Sequence, residues 1–148
     1  MKKNLYTKLF IFLISILPSL TYAGYNIAPV KVQLNKNKKI ETMQFTNGNN
    51  KEGRFQLIVL KQQNKNGKST YTEAKDVIVT PGMFKLAPSQ TQTIRVAINS
   101  NTIYGKQEDG YKLVIKELPH RDTRVANANF VNLVTEFRVP ISIDISNN

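Results

Sequence analysis

The sequence predicts an all-β protein, a sandwich of roughly seven to eight short strands in two sheets. Three observations carry the prediction. Apolar and polar residues alternate with a period of two along most of the chain, and beyond the N-terminal leader no segment has a helical period of useful length. Turn residues recur between the apolar segments, spaced roughly 10–15 residues apart. There is no cysteine, so a secreted chain of this kind must hold its fold by core burial and strand pairing rather than by disulfides.

The elements follow in order. MKKNLYTKLFIFLISILPSLTYA opens the chain: Lys2 and Lys3 precede an apolar run from Leu9 to Leu17, and Ala23 offers a small residue for cleavage before Gly24. Residues 1–23 read as a secretory signal peptide, because the run falls short of the ~20 residues a bilayer span needs. Residues 24–148 then form a single domain. YNIAPVKVQL (25–34) is the opening strand. KIETMQFTN (39–47) follows, with Glu41, Met43 and Phe45 as its inward series. RFQLIVLKQQ (54–63) has a near-continuous apolar centre, which suits a central position. NKNGKST (64–70) reads as a loop with a tight Asn66-Gly67 turn. TEAKDVIVTP (72–81) and MFKLAP (83–88) are short strands stopped by prolines. SQTQTIRVAINS (89–100) turns Gln92, Ile94, Val96 and Ile98 inward, and GYKLVIKELP (110–119) is a further strand. Antibody-type domains carry a disulfide and a core tryptophan, and both are absent, so the architecture is immunoglobulin-like without being of that type.

The last segment, FVNLVTEFRVPISIDI (130–145), is long for a strand. Val131, Leu133, Thr135, Phe137, Val139, Ile141, Ile143 and Ile145 alternate with polar residues for most of its length. Pro140 interrupts it, and a bulge there would shift the register. A long apolar edge is normally an aggregation hazard.

Several chemistries are excluded. With His120 as the only histidine and no cysteine, neither a histidine-based triad nor a thiolate centre can be built. His120 itself reads as a loop residue. Asp76, Asp109, Glu108, Glu117 and Glu136 are dispersed, and no phosphate loop, nucleophile elbow or metal-ligand spacing occurs. The chain reads as a non-enzyme with no cofactor and no small-molecule substrate. The formal charge is +11, of which Lys2, Lys3 and Lys8 of the leader supply three; beyond it lysines are scattered among asparagines in loops such as 34–39 and 61–70, without aromatic stacking residues between them. That pattern suits a solvated basic surface, and nucleic acid is not expected as a partner.

Four segments, in this order, resemble the amino-terminal domain of PapD-like periplasmic pilus-assembly chaperones, the archaic branch above all. They are YNIAPVKVQL (25–34), VIVTPGMFKLAPSQTQTIRV (77–96), GYKLVIKELP (110–119) and LVTEFRVPISI (133–143). The resemblance spans nearly all of 25–145. It implies a periplasmic protein that caps pilus subunits by donor-strand complementation, with those subunits and an outer-membrane usher as partners. It places the donated apolar zipper on Val131, Leu133, Thr135 and Phe137; the same alternation, read from the residues alone, assigns Val139 to Ile145 to the domain's own core. The resemblance implies an anchor for a subunit's terminal carboxylate at Lys31. The family's second anchoring cation falls on Pro140, which cannot serve, so Arg138 is the compensating candidate. Arg95 and Glu108 match family positions in a network facing a second domain, and read here as an ordinary surface ion pair. Family members carry two such domains, and this sequence holds one. The alternative expectation is therefore a secreted single-domain immunoglobulin-like binding protein without subunit-capping activity.

Overall fold

The computed structural model describes residues 24–65, 68–99, 110–119 and 134–144. These form ten strands and no helix: β1 (Tyr25–Ala28), β2 (Val32–Asn35), β3 (Ile40–Asn47), β4 (Gly53–Lys65), β5 (Lys68–Glu73), β6 (Val77–Thr80), β7 (Met83–Leu86), β8 (Thr91–Ile98), β9 (Tyr111–Glu117) and β10 (Glu136–Asp144). One sheet has the order β1-β3-β8-β6. The other has the order β2-β10-β9-β4-β5, with β7 also on β4. The two face each other across one core, an immunoglobulin-like sandwich as the alternation requires.

The inward series are those the periodicity selects. Met43 and Phe45 of β3 and Ile94 and Val96 of β8 are buried, opposite Phe55, Leu57 and Val59 of β4 and Leu113 and Ile115 of β9. β4 is paired on both flanks: β9 lies on one side, and β7 and then β5 share the other. Its apolar centre has this cause.

The structure departs from the sequence reading in four places. The opening strand is two strands, one in each sheet. β1 pairs with β3, β2 pairs with β10, and residues 29–31 cross between the layers. The inward series changes phase across the crossing, from the half-buried Tyr25 and Ile27 to the buried Val32 and Leu34, and the apolar Ala28 and Val30 between them, both exposed, mask the change in the sequence. Residues 64–65 and 68–70 are strand rather than loop, while the Asn66-Gly67 turn lies outside the described residues. The β4–β5 ladder runs out to Lys65 opposite Lys68, with only residues 66–67 between them. The segment 72–81 likewise divides into the end of β5 and the separate β6, which belong to different sheets. Finally, no bulge occurs at Pro140: β10 pairs with β9 in one unbroken register from Glu136–Lys116 to Ile141–Tyr111.

Buried polar groups are tied into this frame. Asn47 is fully buried; its side-chain NH2 donates to the Leu86 and Lys51 carbonyls, and its oxygen accepts from the Asn49 N–H. Asp76 accepts from the Tyr111 hydroxyl and lies 3.6 Å from the Lys61 ammonium. At one end of the sandwich Tyr25, Phe45, Phe55, Phe84 and Phe137 form a continuous aromatic cluster, with linked ring centroids 4.8–5.9 Å apart. That spacing is the favourable range for edge-to-face packing.

Candidate functional site: the open edge of β10

In an antiparallel pair, alternate residues exchange both main-chain hydrogen bonds with the partner, and those between point theirs the other way. The Glu117 N–H donates to the Thr135 carbonyl, 2.9 Å. In the β9–β10 register this makes Thr135, Phe137, Val139 and Ile141 the residues bonded to β9. The other flank of β9 agrees, since the Gln62 N–H donates to the Gly110 carbonyl, 2.7 Å, and assigns the even residues of β9 to β4. Glu136, Arg138 and Pro140 therefore point their main-chain groups away from β9. Pro140, which has no N–H, removes nothing from the β9 ladder. This explains its place in the middle of a strand without a bulge.

On that far side β10 has a partner for only part of its length. β2 runs parallel to it from Val32 opposite Ile141 to Asn35 opposite Asp144. Upstream of Ile141 no strand among the described residues pairs there. The N–H and C=O of Glu136 and Arg138 thus form an open edge in line with β2.

The neighbouring edge is closed. The outward N–H of Gln33 on β2 donates to the Glu41 carboxylate, 2.6 Å, and that of Asn35 donates to the Lys38 carbonyl, 3.0 Å. Lys38 also pairs with Glu41 at 2.7 Å. Hydrogen bonds from the Lys38 ammonium and then from the Gln33 N–H hold the Glu41 carboxyl below its ordinary value. One strand edge is capped by side chains and by a turn, and the adjacent one is not.

The positions named from the sequence distribute around this edge. Val131 and Leu133 lie outside the described residues, as do Glu108 and His120. Thr135 immediately precedes β10 and is half-buried. Phe137 turns into the domain: its ring meets Tyr25 and Phe45, each at 5.7 Å between centroids. Val139, Ile141 and Ile143 are buried in the same core. Lys31 is exposed in the crossing segment, one residue before Val32 and hence beside Pro140 across the β2–β10 pair. The two positions where the family's anchoring cations fall are thus neighbours at the end of the open edge. Arg138 is exposed on the outer sheet face, its Nε on Glu136 Oε1 at 2.7 Å. Arg95 is an exposed residue of β8 opposite Thr42 and Thr80, in the other sheet.

Sequence reading did not find two contributors. One is the outward-facing main chain of Glu136 and Arg138; the parity of Pro140 was the available signal, because proline marks the positions whose N–H the neighbouring strand does not use. The other is Tyr25, whose hydroxyl donates to Glu117 Oε1 at 2.8 Å and whose ring holds Phe137. Burial, reinforced by the Glu117 carboxylate, pushes the Tyr25 pKa up to about 12. Among the described residues no cluster of histidine, aspartate and glutamate could hold a metal. What this edge can do chemically is accept another main chain.

Comparison with known proteins fits that geometry. The family model of the PapD N-terminal domain, described as a pili and flagellar-assembly chaperone, matches residues 24–143. The chain belongs to this family. No curated protein sequence matches it significantly. Among solved structures it is similar to one described as the CsuC-CsuE chaperone–tip adhesion subunit pre-assembly complex, from the archaic chaperone-usher Csu pili of Acinetobacter baumannii. The identity is 20% and the TM-score 0.64, over 82% of this chain and 56% of that one. It is also similar to the structure of the Salmonella enterica SafA pilin with the SafB chaperone, with 18% identity, TM-score 0.62 and coverage of 84% and 56%. The Escherichia coli chaperone DraB matches at 18% identity and TM-score 0.58, over 80% and 53%. At these identities the likeness is one of fold. The sequence spans a little over half the length of those solved chains. It is a PapD N-terminal domain by family and shares the fold of those chaperone chains.

Proposed function

We propose that this PapD-family domain is the strand-donating part of a periplasmic chaperone of the chaperone-usher pathway. It binds and caps pilus subunits by donor-strand complementation and meets an outer-membrane usher in the course of assembly. Residues 1–23 act as the cleaved signal that delivers it to the periplasm. The observation that carries the reading is the open edge at Glu136 and Arg138, beside a β2 edge that is capped. A subunit lacking a strand exposes unpaired main-chain groups and an apolar groove. A donor must offer main-chain bonds along one edge and alternating apolar side chains for the groove. The edge supplies the first, and Val131, Leu133 and Thr135 supply the second. Each large apolar side chain buried in such a groove contributes about 1.5–3 kcal/mol before ordering costs.

Phe137 belongs to the zipper in the sequence reading, but its ring already packs against Tyr25 and Phe45. We assign the subunit groove to the residues before it. Lys31 is the cation for the subunit's terminal carboxylate, with Arg138 beside it.

Leu133→Glu tests the reading. The variant is expected to lose co-purification with a cognate pilus subunit from periplasmic extracts while its far-UV circular dichroism is unchanged. Unaltered co-purification would remove Leu133 from the zipper. A second reading, a secreted immunoglobulin-like binding domain without capping activity, is favoured by the Glu136–Arg138 ion pair, which occupies part of one anchor cation. Extracts in which the folded protein captures no pilin-like chain would support it.

A further inference from the structure

We propose that β5 is a self-association edge: two copies of the chain pair their β5 strands antiparallel about a twofold axis at Thr72 and join their six-stranded sheets into one. The inference concerns the end of the sheet opposite β10 and stands independently of strand donation.

Most edges of this sandwich are blunted, and main-chain parity shows how. The Gly48 N–H donates to the Gly24 carbonyl, 2.7 Å, so Asn26 and Ala28 of β1 bond to β3, while Tyr25, Ile27 and then Pro29 point outward. The Asn99 N–H donates to the Asp76 carbonyl, 2.9 Å, so Ile78 and Thr80 of β6 bond to β8, while Val77, Val79 and then Pro81 point outward. Each of these edges runs into a residue with no N–H to offer, which discourages a further strand. β2 is capped by Glu41 and by the turn at Lys38. β10 carries Pro140 in the outward position. β7 is only four residues long.

β5 has none of these devices. It is six residues long, every one of them exposed, and contains no proline. The Ala74 N–H donates to the Val59 carbonyl, 2.8 Å. In the β4–β5 register this makes Thr70, Thr72 and Ala74 the residues bonded to β4. Tyr71 and Glu73 therefore turn their main-chain groups away from β4, and no strand among the described residues lies beyond them.

The occupant that fits is a second copy. Tyr71 and Glu73 lie symmetrically about Thr72, so a twofold axis there sets Tyr71 of each copy opposite Glu73 of the other. Both are outward positions, and the two pairs exchange four main-chain hydrogen bonds. Between them the two Thr72 residues meet in the close pair of an antiparallel ladder, where threonines pair favourably. Thr70 falls opposite Ala74, and no like charges face each other. A parallel copy in register would instead set Glu73 beside Glu73 and Lys68 beside Lys68. Charge also selects the antiparallel form. The Lys112 ammonium lies over the Tyr71 ring, 5.0 Å from its centroid, and donates to the Tyr71 hydroxyl at 3.0 Å. Glu73 of the other copy arrives opposite Tyr71 on this same face, so a carboxylate approaches a site that already holds a cation. Symmetry repeats the meeting on the other side of the axis.

The combined sheet would run β2-β10-β9-β4-β5 and then the same order reversed. Its two β10 edges lie about 34 Å apart at the usual strand spacing and face away from each other. Association through β5 thus leaves both of them open.

The test uses the whole protein in sedimentation equilibrium over a rising concentration series. The apparent mass of the unsubstituted chain is expected to climb toward twice the monomer value. Glu73→Pro removes an outward N–H that β4 does not use, and should hold the mass at that of the monomer with far-UV circular dichroism preserved. Glu73→Gln keeps the N–H and loses the charge, and should fall between the two. The chain has no cysteine, so a single introduced thiol reports the register. Across the proposed axis the two Thr72 Cα atoms are about 4.5 Å apart, within disulfide reach, whereas the two Thr70 residues are offset by about 13 Å. Thr72→Cys should therefore give a covalent dimer on mild oxidation, and Thr70→Cys should not. A monomer at every concentration overturns the proposal, as does a dimer that Glu73→Pro leaves intact. Equal cross-linking at positions 70 and 72 overturns the register. Loss of the fold in Glu73→Pro overturns the parity assigned to β5. Subunit capture runs through the other end of the sheet, so its success or failure bears on strand donation alone.

Discussion

At the scale of single residues, the molecule separates groups that hold the fold from groups left for another chain. Tyr25 belongs to the first kind. Its ring contacts Phe45, Phe55 and Phe137, and its hydroxyl is spent on Glu117. Tyr111 is similar, its hydroxyl donating to Asp76. Burial first, and then the accepting carboxylate, raise both phenols from 10.0 to about 12. The folded state thus holds these protons more tightly than the unfolded chain does. Their contribution to stability is fully present below pH 10 and is lost as pH rises from there through about 12. Urea midpoints measured across this alkaline window should fall, and Tyr25→Phe should show a shallower fall than the unsubstituted protein. An identical fall would mean that Tyr25 does not titrate in this range. Nothing in the sequence marked Tyr25 out, because its partners lie on β3, β4, β9 and β10 and meet only after folding.

At the scale of elements, β10 is one strand with two kinds of edge. Its odd residues bond to β9 along the whole ladder. Its even residues bond to β2 near the C-terminal end and are open before it. This assignment gives opposite outcomes for proline placed at adjacent positions. Arg138→Pro removes an N–H that the domain does not use, so folding should persist while subunit capture is lost; Arg138→Val, which keeps the N–H, should retain more of it. Val139→Pro removes a bond to β9 and empties a buried core position, and should destabilise the domain by about 3 kcal/mol or more. Thermal unfolding of the three variants beside a capture assay separates the cases. Equal destabilisation by the two prolines would refute the parity. The alternation of this segment was plain in the sequence and correctly identified Val139, Ile141 and Ile143 as core. Which flank each main-chain group served was not, since both flanks of a strand share one side-chain pattern. A bulge at Pro140 does not form for a related reason: a missing N–H disrupts a ladder only if the ladder needs it.

At the scale of the whole molecule, the two sheets are joined through one core. Seven of the nine steps from one strand to the next pass between the sheets: β1 to β2, β2 to β3, β3 to β4, β5 to β6, β6 to β7, β7 to β8 and β8 to β9. Phe45 of one sheet packs on Phe55 of the other at 4.8 Å. Neither sheet can lose its partner without exposing this layer, so unfolding should be a single cooperative transition, with far-UV circular dichroism and tyrosine fluorescence giving coincident curves. Two resolved transitions would show that the sheets are separable. With no cysteine present, the transition should be insensitive to reductant.

The class of fold, the inward faces of β3, β8 and β10, and the family resemblance carried by the order of motifs were all legible in the sequence alone. These follow from local chemistry: a period of two, turn residues and proline positions are properties of neighbouring residues, and burial selects one face of each strand. Tertiary structure decided the rest. It divided 25–34 between two sheets, paired 64–65 with 68–69 in one ladder, aimed Phe137 inward, and left Glu136 and Arg138 facing a lane that no strand among the described residues fills, beside a capped one. The physical reason is that an edge is a relation between strands distant in the chain. Whether a main-chain N–H is satisfied depends on who lies beside it, and alternation along one strand holds no record of its neighbours.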